Sequence, residues 1–351
     1  MRREIPQVHK KPGTALVLSG GATKAFYFHL GVLKALGVND VTALVGSSAG
    51  AMVAALVAMG TSVDQLIRAV YEREIYVPHL DRIEKSFDSS LLFRLDAYNL
   101  ARQSAYTGLE ALRFFASLPL LWRHDLVAEA LDRWIMSQRY AAGFFSADAI
   151  ENIFKSMMPS NDFRAAEIDL YVTATSLDNH QRAVFNALYT FEDTNNHFFT
   201  DVPVHQAVRA SVSLPGMFEP VNIRGQYYID GEVKQTLSVD LGLALADRIV
   251  ISHTYQPLYR NNGQSVRDMG WLTIFKQALH VMLNERIEVW RDIYEHEYPD
   301  KQFLWIHPDP EDTEFFLAPE FSFRPEIQKM IIRSGEVAAT RALEKAAAKG
   351  G

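Results

Sequence analysis

The feature that most constrains this chain is Gly46-Ser47-Ser48-Ala49-Gly50, a G-x-S-x-G pentapeptide between an apolar strand-like run, Val41 to Val45, and a helix-like run, Ala51 to Met59. So short a passage from strand to helix marks an α/β unit and lifts one hydroxyl, that of Ser48, clear of the backbone. Gly46 and Gly50 flank it because a Cβ at either position would clash in so tight a turn. The following helix points its free N–H groups and positive dipole end back at Ser48, which favours an alkoxide and any oxyanion formed beside it. The pentapeptide alone is a weak signal, since glycine and serine are common, so other residues have to decide its meaning.

A second junction precedes it. In Leu16-Val17-Leu18-Ser19-Gly20-Gly21-Ala22-Thr23-Lys24 a short buried-strand pattern runs into a turn of small residues with a lysine. Ala25 to Leu36 then carries apolar residues at helical spacing, so successive backbone N–H groups are left unpaired at the turn. A concave cluster of such groups binds anions, and beside a serine nucleophile the relevant anion is the tetrahedral oxyanion of acyl transfer. The alternative is a plain βα turn rich in small residues. Nucleotide loops are excluded: there is no G-x-x-x-x-G-K-[ST], and G-x-G-x-x-G is broken by Ala22 and Ala25.

The third feature is Tyr228-Ile229-Asp230-Gly231-Glu232. On its own, an aspartate ahead of a glycine reads as a turn residue. An ordinary α/β-hydrolase triad in the order Ser, Asp, His is open to this chain, because His253, His280 and His307 all follow Asp230. Against it, Ser48 is preceded by room for only two strands, whereas such enzymes place several before the nucleophile.

Taken together and in this order, GGATK, GSSAG and DGE resemble the patatin-like phospholipase family of lipid acyl hydrolases. Further family-like stretches are Gly31-Val32-Leu33-Lys34-Ala35-Leu36, Gly143-Phe144-Phe145-Ser146-Ala147, Ala174-Thr175-Ser176-Leu177-Asp178 and Ala210-Ser211-Val212-Ser213-Leu214-Pro215-Gly216-Met217-Phe218. The resemblance covers most of residues 14 to 255. It implies an α/β fold of three layers, α/β/α, with a mainly parallel central sheet. It also implies a Ser48–Asp230 catalytic dyad without histidine, in which Asp230, followed by the turn glycine Gly231, takes the Ser48 proton directly. Backbone N–H groups of Gly20, Gly21 and Ala22 would form the oxyanion hole, and Lys24 would anchor the loop or meet a phosphate. No cofactor and no metal are implied. The chain departs from the family at Ala22 and Ala25, where glycine is usual, and at Glu232, where Gly or Ala is usual. If the loop needs positive φ at Ala22 or Ala25, alanine costs about 1 kcal/mol or more relative to glycine. Glu232 is expected either to face solvent or to raise the proton affinity of Asp230 by like-charge repulsion.

Composition bounds the rest. At 351 residues, 48% hydrophobic and 22% charged, the chain is large enough for one α/β domain over 14–350, after an N-terminal extension of residues 1–13, with 75–135 as a helical cap insertion. Phe114, Phe115 and Trp122 lie in an apolar region, 109–122, that either packs on the core or dips into a membrane surface. The following stretch, Leu126 to Ile135, reads as amphipathic. A net charge of −7 argues against a nucleic-acid partner, and zero cysteines exclude disulfides and thiol chemistry. With no apolar leader at Met1 to Pro6, the expected location is cytoplasmic, with peripheral membrane contact as the alternative. The partner implied is an acyl lipid or phospholipid. A catalytically silent lipid binder of the same fold is the third functional reading. Beyond Asp230 the pattern predicts a helix near Leu237 to Ala246, a strand at Ile249 to Ser252, a long helix over Trp271 to Tyr294, a last strand at Phe303 to His307 and a terminal helix behind Pro325.

Overall fold

A computed structural model describes residues 8, 10–85, 94–95, 143–146, 148–190, 192–260, 265–322 and 324–350. In chain order its elements are β1 (Thr14–Leu18), α1 (Ala22–Leu36), β2 (Val41–Ser47), α2 (Ala49–Ala58), α3 (Val63–Glu72), β3 (Glu74–Val77), β4 (Arg82–Lys85), β5 (Arg94–Leu95) and β6 (Gly143–Ser146). There follow α4 (Asp148–Met157), β7 (Asp169–Ser176), β8 (Arg182–Phe185), β9 (Asn196–Phe199), α5 (Val204–Ser211), β10 (Gly216–Phe218), β11 (Val221–Ile223) and β12 (Gln226–Asp230). The chain ends with α6 (Val239–Leu245), β13 (Arg248–Ser252), α7 (Trp271–Glu297), β14 (Gln302–Ile306), α8 (Thr313–Leu317) and α9 (Pro325–Gly350).

The main sheet has nine strands in the order β11-β12-β7-β2-β1-β13-β14, with β8 paired to β7 and β9 to β8. From β7 through β14 every neighbour on that path is parallel, while β12 runs antiparallel to β7 and β11 to β12. The parallel strands read as unbroken apolar runs because both faces are buried. Alternate residues go to opposite layers: Leu16, Leu18 and Leu44 join α1, α2 and α9 on one side, while Ala15, Val17, Ala43 and Val45 join α6 and α7 on the other. The result is the three-layer α/β/α arrangement expected.

On the first face α1 and α9 touch backbone to backbone. A Cβ placed on Gly31 would lie 1.9 Å from the Ile332 carbonyl oxygen, and one on Gly335 would lie 2.1 Å from the Phe28 carbonyl oxygen. Each helix therefore needs a glycine where it crosses the other. Among the described residues no single helix is long and apolar enough to cross a membrane.

Where a helical cap is expected from residue 75, the chain forms instead an antiparallel pair, β3 with β4, joined by a 3₁₀ turn at Pro78–Leu80. The alternation in Glu74-Ile75-Tyr76-Val77, exposed and buried in turn, is the strand period that produces it. Residues 109–122 and 126–135, with Phe114, Phe115 and Trp122, lie outside the described residues. The turn between β11 and β12 falls at Arg224-Gly225, both with positive φ, while Asp230 is the last residue of β12 and also opens the turn after it, its carbonyl accepting from the Val233 N–H at 3.3 Å.

Candidate functional site

The two strand-to-helix junctions stand side by side because β1 and β2 are parallel neighbours, with Leu18 opposite Gly46. Ser48 is the single residue between β2 and α2, with φ 51° and ψ −122°. Positive φ on a serine costs about 1–3 kcal/mol and is kept only where surroundings enforce it. Here the Ser48 N–H donates to Ser211 Oγ at 2.8 Å, and the Gly50 N–H donates to the Ser19 carbonyl at 3.0 Å. The glycines are required by close approach, as anticipated: a Cβ on Gly46 would sit 2.6 Å from Ala51 N, and one on Gly50 would sit 2.3 Å from the Leu18 carbonyl oxygen.

Asp230 reaches this serine through β7. That strand pairs in parallel with β2, placing Thr173 opposite Ser47, and antiparallel with β12, placing Ala174 opposite Asp230. Two strand spacings, about 10 Å, therefore separate the backbones, a gap that side chains can bridge. The Ser48 hydroxyl lies near enough to the Asp230 carboxyl to favour its charged form, and the Glu232 N–H donates to Asp230 Oδ1 at 2.9 Å. Asp230 is 2% exposed. Burial pushes its pKa from the ordinary 3.8 up to about 6, against the nearby Ser48 hydroxyl and the hydrogen bond from the Glu232 N–H, which favour the charged form.

One short segment, the end of α5 and the residues just after it, holds both partners. Ser211 Oγ accepts from Ser48, while the Ser213 carbonyl accepts from the Asp230 N–H at 3.0 Å. On the other side Thr175 Oγ1 donates to the Asp230 carbonyl at 2.9 Å and accepts from the Lys234 N–H at 3.1 Å. Further back, Arg182 is fully buried and forks onto both oxygens of Asp240, at 2.8 and 2.6 Å, and Gln235 donates to the same carboxylate. This buried pair fixes the loop that leaves Gly231. Gly231 itself has room for no side chain, since a Cβ there would lie 2.5 Å from the Thr173 carbonyl oxygen.

None of the three downstream histidines bonds Ser48 or Asp230 among the described residues. His253 is buried with neither ring nitrogen hydrogen-bonded and stacks on His307 at 5.5 Å. His280 bonds the Gln256 carbonyl and packs edge-on against Tyr255 and Phe316. Burial holds all three below the ordinary histidine range and so neutral. The structural histidine is a different one: His29, wholly buried on α1, donates from Nε2 to the Ser19 carbonyl at 2.9 Å and meets Ser252 Oγ through Nδ1 at 2.8 Å. With its pKa pulled to about 4 by burial, it is a neutral brace beneath the glycine turn.

In that turn Gly21 has φ 128°, and a Cβ on it would fall 2.4 Å from Thr254 Oγ1. Ala22 has φ 56°, so one of the two alanine departures does occupy the left-handed region, while Ala25 is helical and donates its N–H to the Gly21 carbonyl. Among the described residues nothing accepts from the N–H groups of Gly21 and Ala22, as a loop built to receive an anion requires. The Gly20 N–H is different, because Glu232 Oε1 accepts from it at 2.9 Å. Glu232 thus turns inward instead of to solvent. Burial, and after it the charge of Asp230, raise the Glu232 carboxyl well above the ordinary range, so the two neighbouring carboxyls resist being charged together.

Lys24 is 1% exposed and turned away from Ser48. Its Nζ lies over the Phe315 ring and bonds the Phe316 carbonyl at 3.3 Å and Glu320 at 3.5 Å. Burial lowers its pKa to about 7, against the pull of Glu320. The Lys24 N–H and Thr23 Oγ1 both donate to the Glu320 carbonyl, so the segment after α8 clasps the first turn of α1. The geometry is that of a loop anchor.

Sequence reasoning missed Ser211, Thr175, His29, Arg182 and Glu320 as supports. Ser211 and Thr175 lay in stretches already singled out, but single small polar residues carry no periodicity that marks them as braces. Among the described residues no group of three His, Cys, Asp or Glu side chains is placed to hold a metal ion.

Residues 16–242 match the family model for patatin-like phospholipases. Among curated proteins, patatin-like phospholipase domain-containing proteins of Aspergillus clavatus and Neosartorya fischeri are each 60% identical to this chain over 50 residues, which is 14% of this chain and 7% of theirs. Among solved structures, VipD from Legionella pneumophila is similar over 97% of this chain and 68% of its own, with 14% identity and a TM-score of 0.39. The ExoU–SpcU complex from the type III secretion system of Pseudomonas aeruginosa gives 18% identity and a TM-score of 0.34, over 96% of this chain and 52% of that one.

Proposed function

The chain belongs to the patatin-like phospholipase family, and on that footing we propose that it is a serine lipid acyl hydrolase, of phospholipase A, lysophospholipase or esterase type, with Ser48 as nucleophile and Asp230 as general base. The observation that carries this is the placement of Asp230, a buried carboxyl whose pKa is raised to about 6, across β7 from the Ser48 elbow and near enough for the hydroxyl to favour its charged form. Such a group is ionised at neutral pH yet basic enough to accept a proton as the attack proceeds.

Ser48 Oγ attacks the acyl carbonyl carbon and its proton passes to Asp230. The carbonyl electron pair moves to oxygen, where the Gly20, Gly21 and Ala22 N–H groups stabilise the oxyanion. Collapse expels the alcohol or lysolipid, which takes the proton from Asp230 and leaves an acyl-Ser48 ester. Water then attacks that ester, gives a proton to Asp230 and releases the fatty acid, and the proton returns to Ser48. Lys24 anchors the loop throughout and does not meet a phosphate.

A second reading, a silent lipid binder, is favoured by one observation, that Glu232 occupies the Gly20 N–H. Both are tested by incubating wild-type protein and Ser48→Ala with a mixed phospholipid and neutral-lipid extract and quantifying fatty acids and lysolipids by mass spectrometry. The hydrolase reading expects release that falls at least about 10³-fold in Ser48→Ala. Lipid binding without release, with Ser48 inert to a fluorophosphonate probe, would establish the binder instead.

A further inference from the structure

We propose that Glu232 is a built-in occupant of the oxyanion site: the carbonyl oxygen of its side chain sits on the Gly20 N–H that an acyl carbonyl takes during reaction, so substrate enters by displacing it. This rests on residues 20–22 being the oxyanion loop. Three contacts place the occupant. The Gly20 N–H donates to Glu232 Oε1 at 2.9 Å. A Cβ built on Gly20 would lie 2.7 Å from Glu232 Cγ and 2.9 Å from Ser48 Cβ, so the side chain, the loop and the nucleophile crowd one point. Glu232 Oε2 is buried there without a hydrogen-bond partner among the described residues.

Chemically the side chain is a close stand-in for an ester. Ser47, Asp230 and Tyr255 are the polar and titratable groups around it, and burial beside Asp230 favours the neutral form of the carboxyl. A neutral carboxylic acid presents the same C=O acceptor as an acyl group. The tetrahedral oxygen formed on attack is charged and accepts more strongly than a neutral acid, so the exchange favours the transition state more than bound substrate. The backbone need not move, because the Glu232 N–H stays on Asp230 Oδ1 while the side chain swings away.

Removing the occupant exposes the donor in advance. With a short p-nitrophenyl ester at about pH 8, where Asp230 is ionised, Glu232→Ala should raise kcat/KM roughly threefold to tenfold, the worth of one neutral hydrogen bond. Fluorophosphonate labelling of Ser48 should rise in step. Glu232→Gln, whose amide oxygen still accepts from Gly20, should gain less than Glu232→Ala. A Glu232→Ala protein as stable as wild type but no faster with either reagent overturns the proposal. Amide exchange of ¹⁵N-glycine-labelled protein decides independently. Gly20 should be protected in wild type and Glu232→Gln and lose protection in Glu232→Ala; unchanged protection in Glu232→Ala also overturns the proposal. If neither wild type nor any variant hydrolyses ester or takes the probe, the hydrolase reading fails, and the Gly20 amide still reports whether Glu232 occupies the site.

Discussion

Replacing Asp230 by asparagine should abolish turnover and yet stabilise the protein above pH 6. The carboxyl is wholly buried, and its pKa rises from 3.8 to about 6 on folding, so the fold disfavours its charge. Below about pH 3 the group is neutral in both folded and unfolded chains and costs nothing. Between pH 4 and 6 it ionises in the unfolded chain first, and stability falls as pH rises through that window. Above pH 6 the loss is complete, two pKa units at about 1.4 kcal/mol each, or about 3 kcal/mol. Asparagine keeps the shape, accepts from the Glu232 N–H and donates to Ser48, but cannot ionise. Denaturant unfolding of both proteins should show Asp230→Asn more stable by up to about 3 kcal/mol at pH 8 and within about 1 kcal/mol of wild type at pH 4. In the same proteins, wild-type kcat/KM should climb about tenfold per pH unit to a plateau near pH 6, while the variant stays at least about 10³-fold lower at every pH. A stability gap that is the same at pH 4 and pH 8, or that favours wild type at pH 8, would refute a desolvated base.

Three further outcomes are expected. Ser211→Ala should leave the buried Ser48 N–H without its acceptor, costing about 1–3 kcal/mol and lowering kcat more than it changes KM, with partial rescue by Ser211→Thr in a steady-state assay. Arg182→Met should strand the Asp240 carboxylate in the interior and cost about 3–5 kcal/mol, whereas Arg182→Met combined with Asp240→Leu should recover much of that in denaturant midpoints. Gly31→Ala should drive α1 away from α9, costing about 1–3 kcal/mol, because its Cβ would fall 1.9 Å from the Ile332 carbonyl; thermal unfolding measures it.

Much of this site could be read from short local patterns. The apolar runs before Ser19 and Gly46, the small-residue turns and the helical spacing after each specify β1-α1 and β2-α2 without outside help, because backbone sterics act over a few residues. The same locality explains the long helix at α7, the terminal helix behind Pro325 and the last strand. It misleads where neighbours matter: Glu74 to Lys85 forms a strand pair where a helical cap is expected.

What the sequence by itself determined is therefore the identity and local conformation of the pieces: a serine at a glycine-flanked elbow, a loop of small residues and an aspartate far down the chain. What only the tertiary structure decided is how they meet. Sheet registry sets Ser48 and Asp230 on either side of β7, Ser211 and Ser213 hold them from one segment, and Lys24 turns inward to Glu320. Glu232 shows the difference most clearly. Its charge and its place beside Asp230 are plain in the sequence, but its burial is not. Burial depends on what packs against a residue from distant parts of the chain, and it is burial that raises this carboxyl's pKa and turns it from a surface charge into an acceptor for the Gly20 N–H.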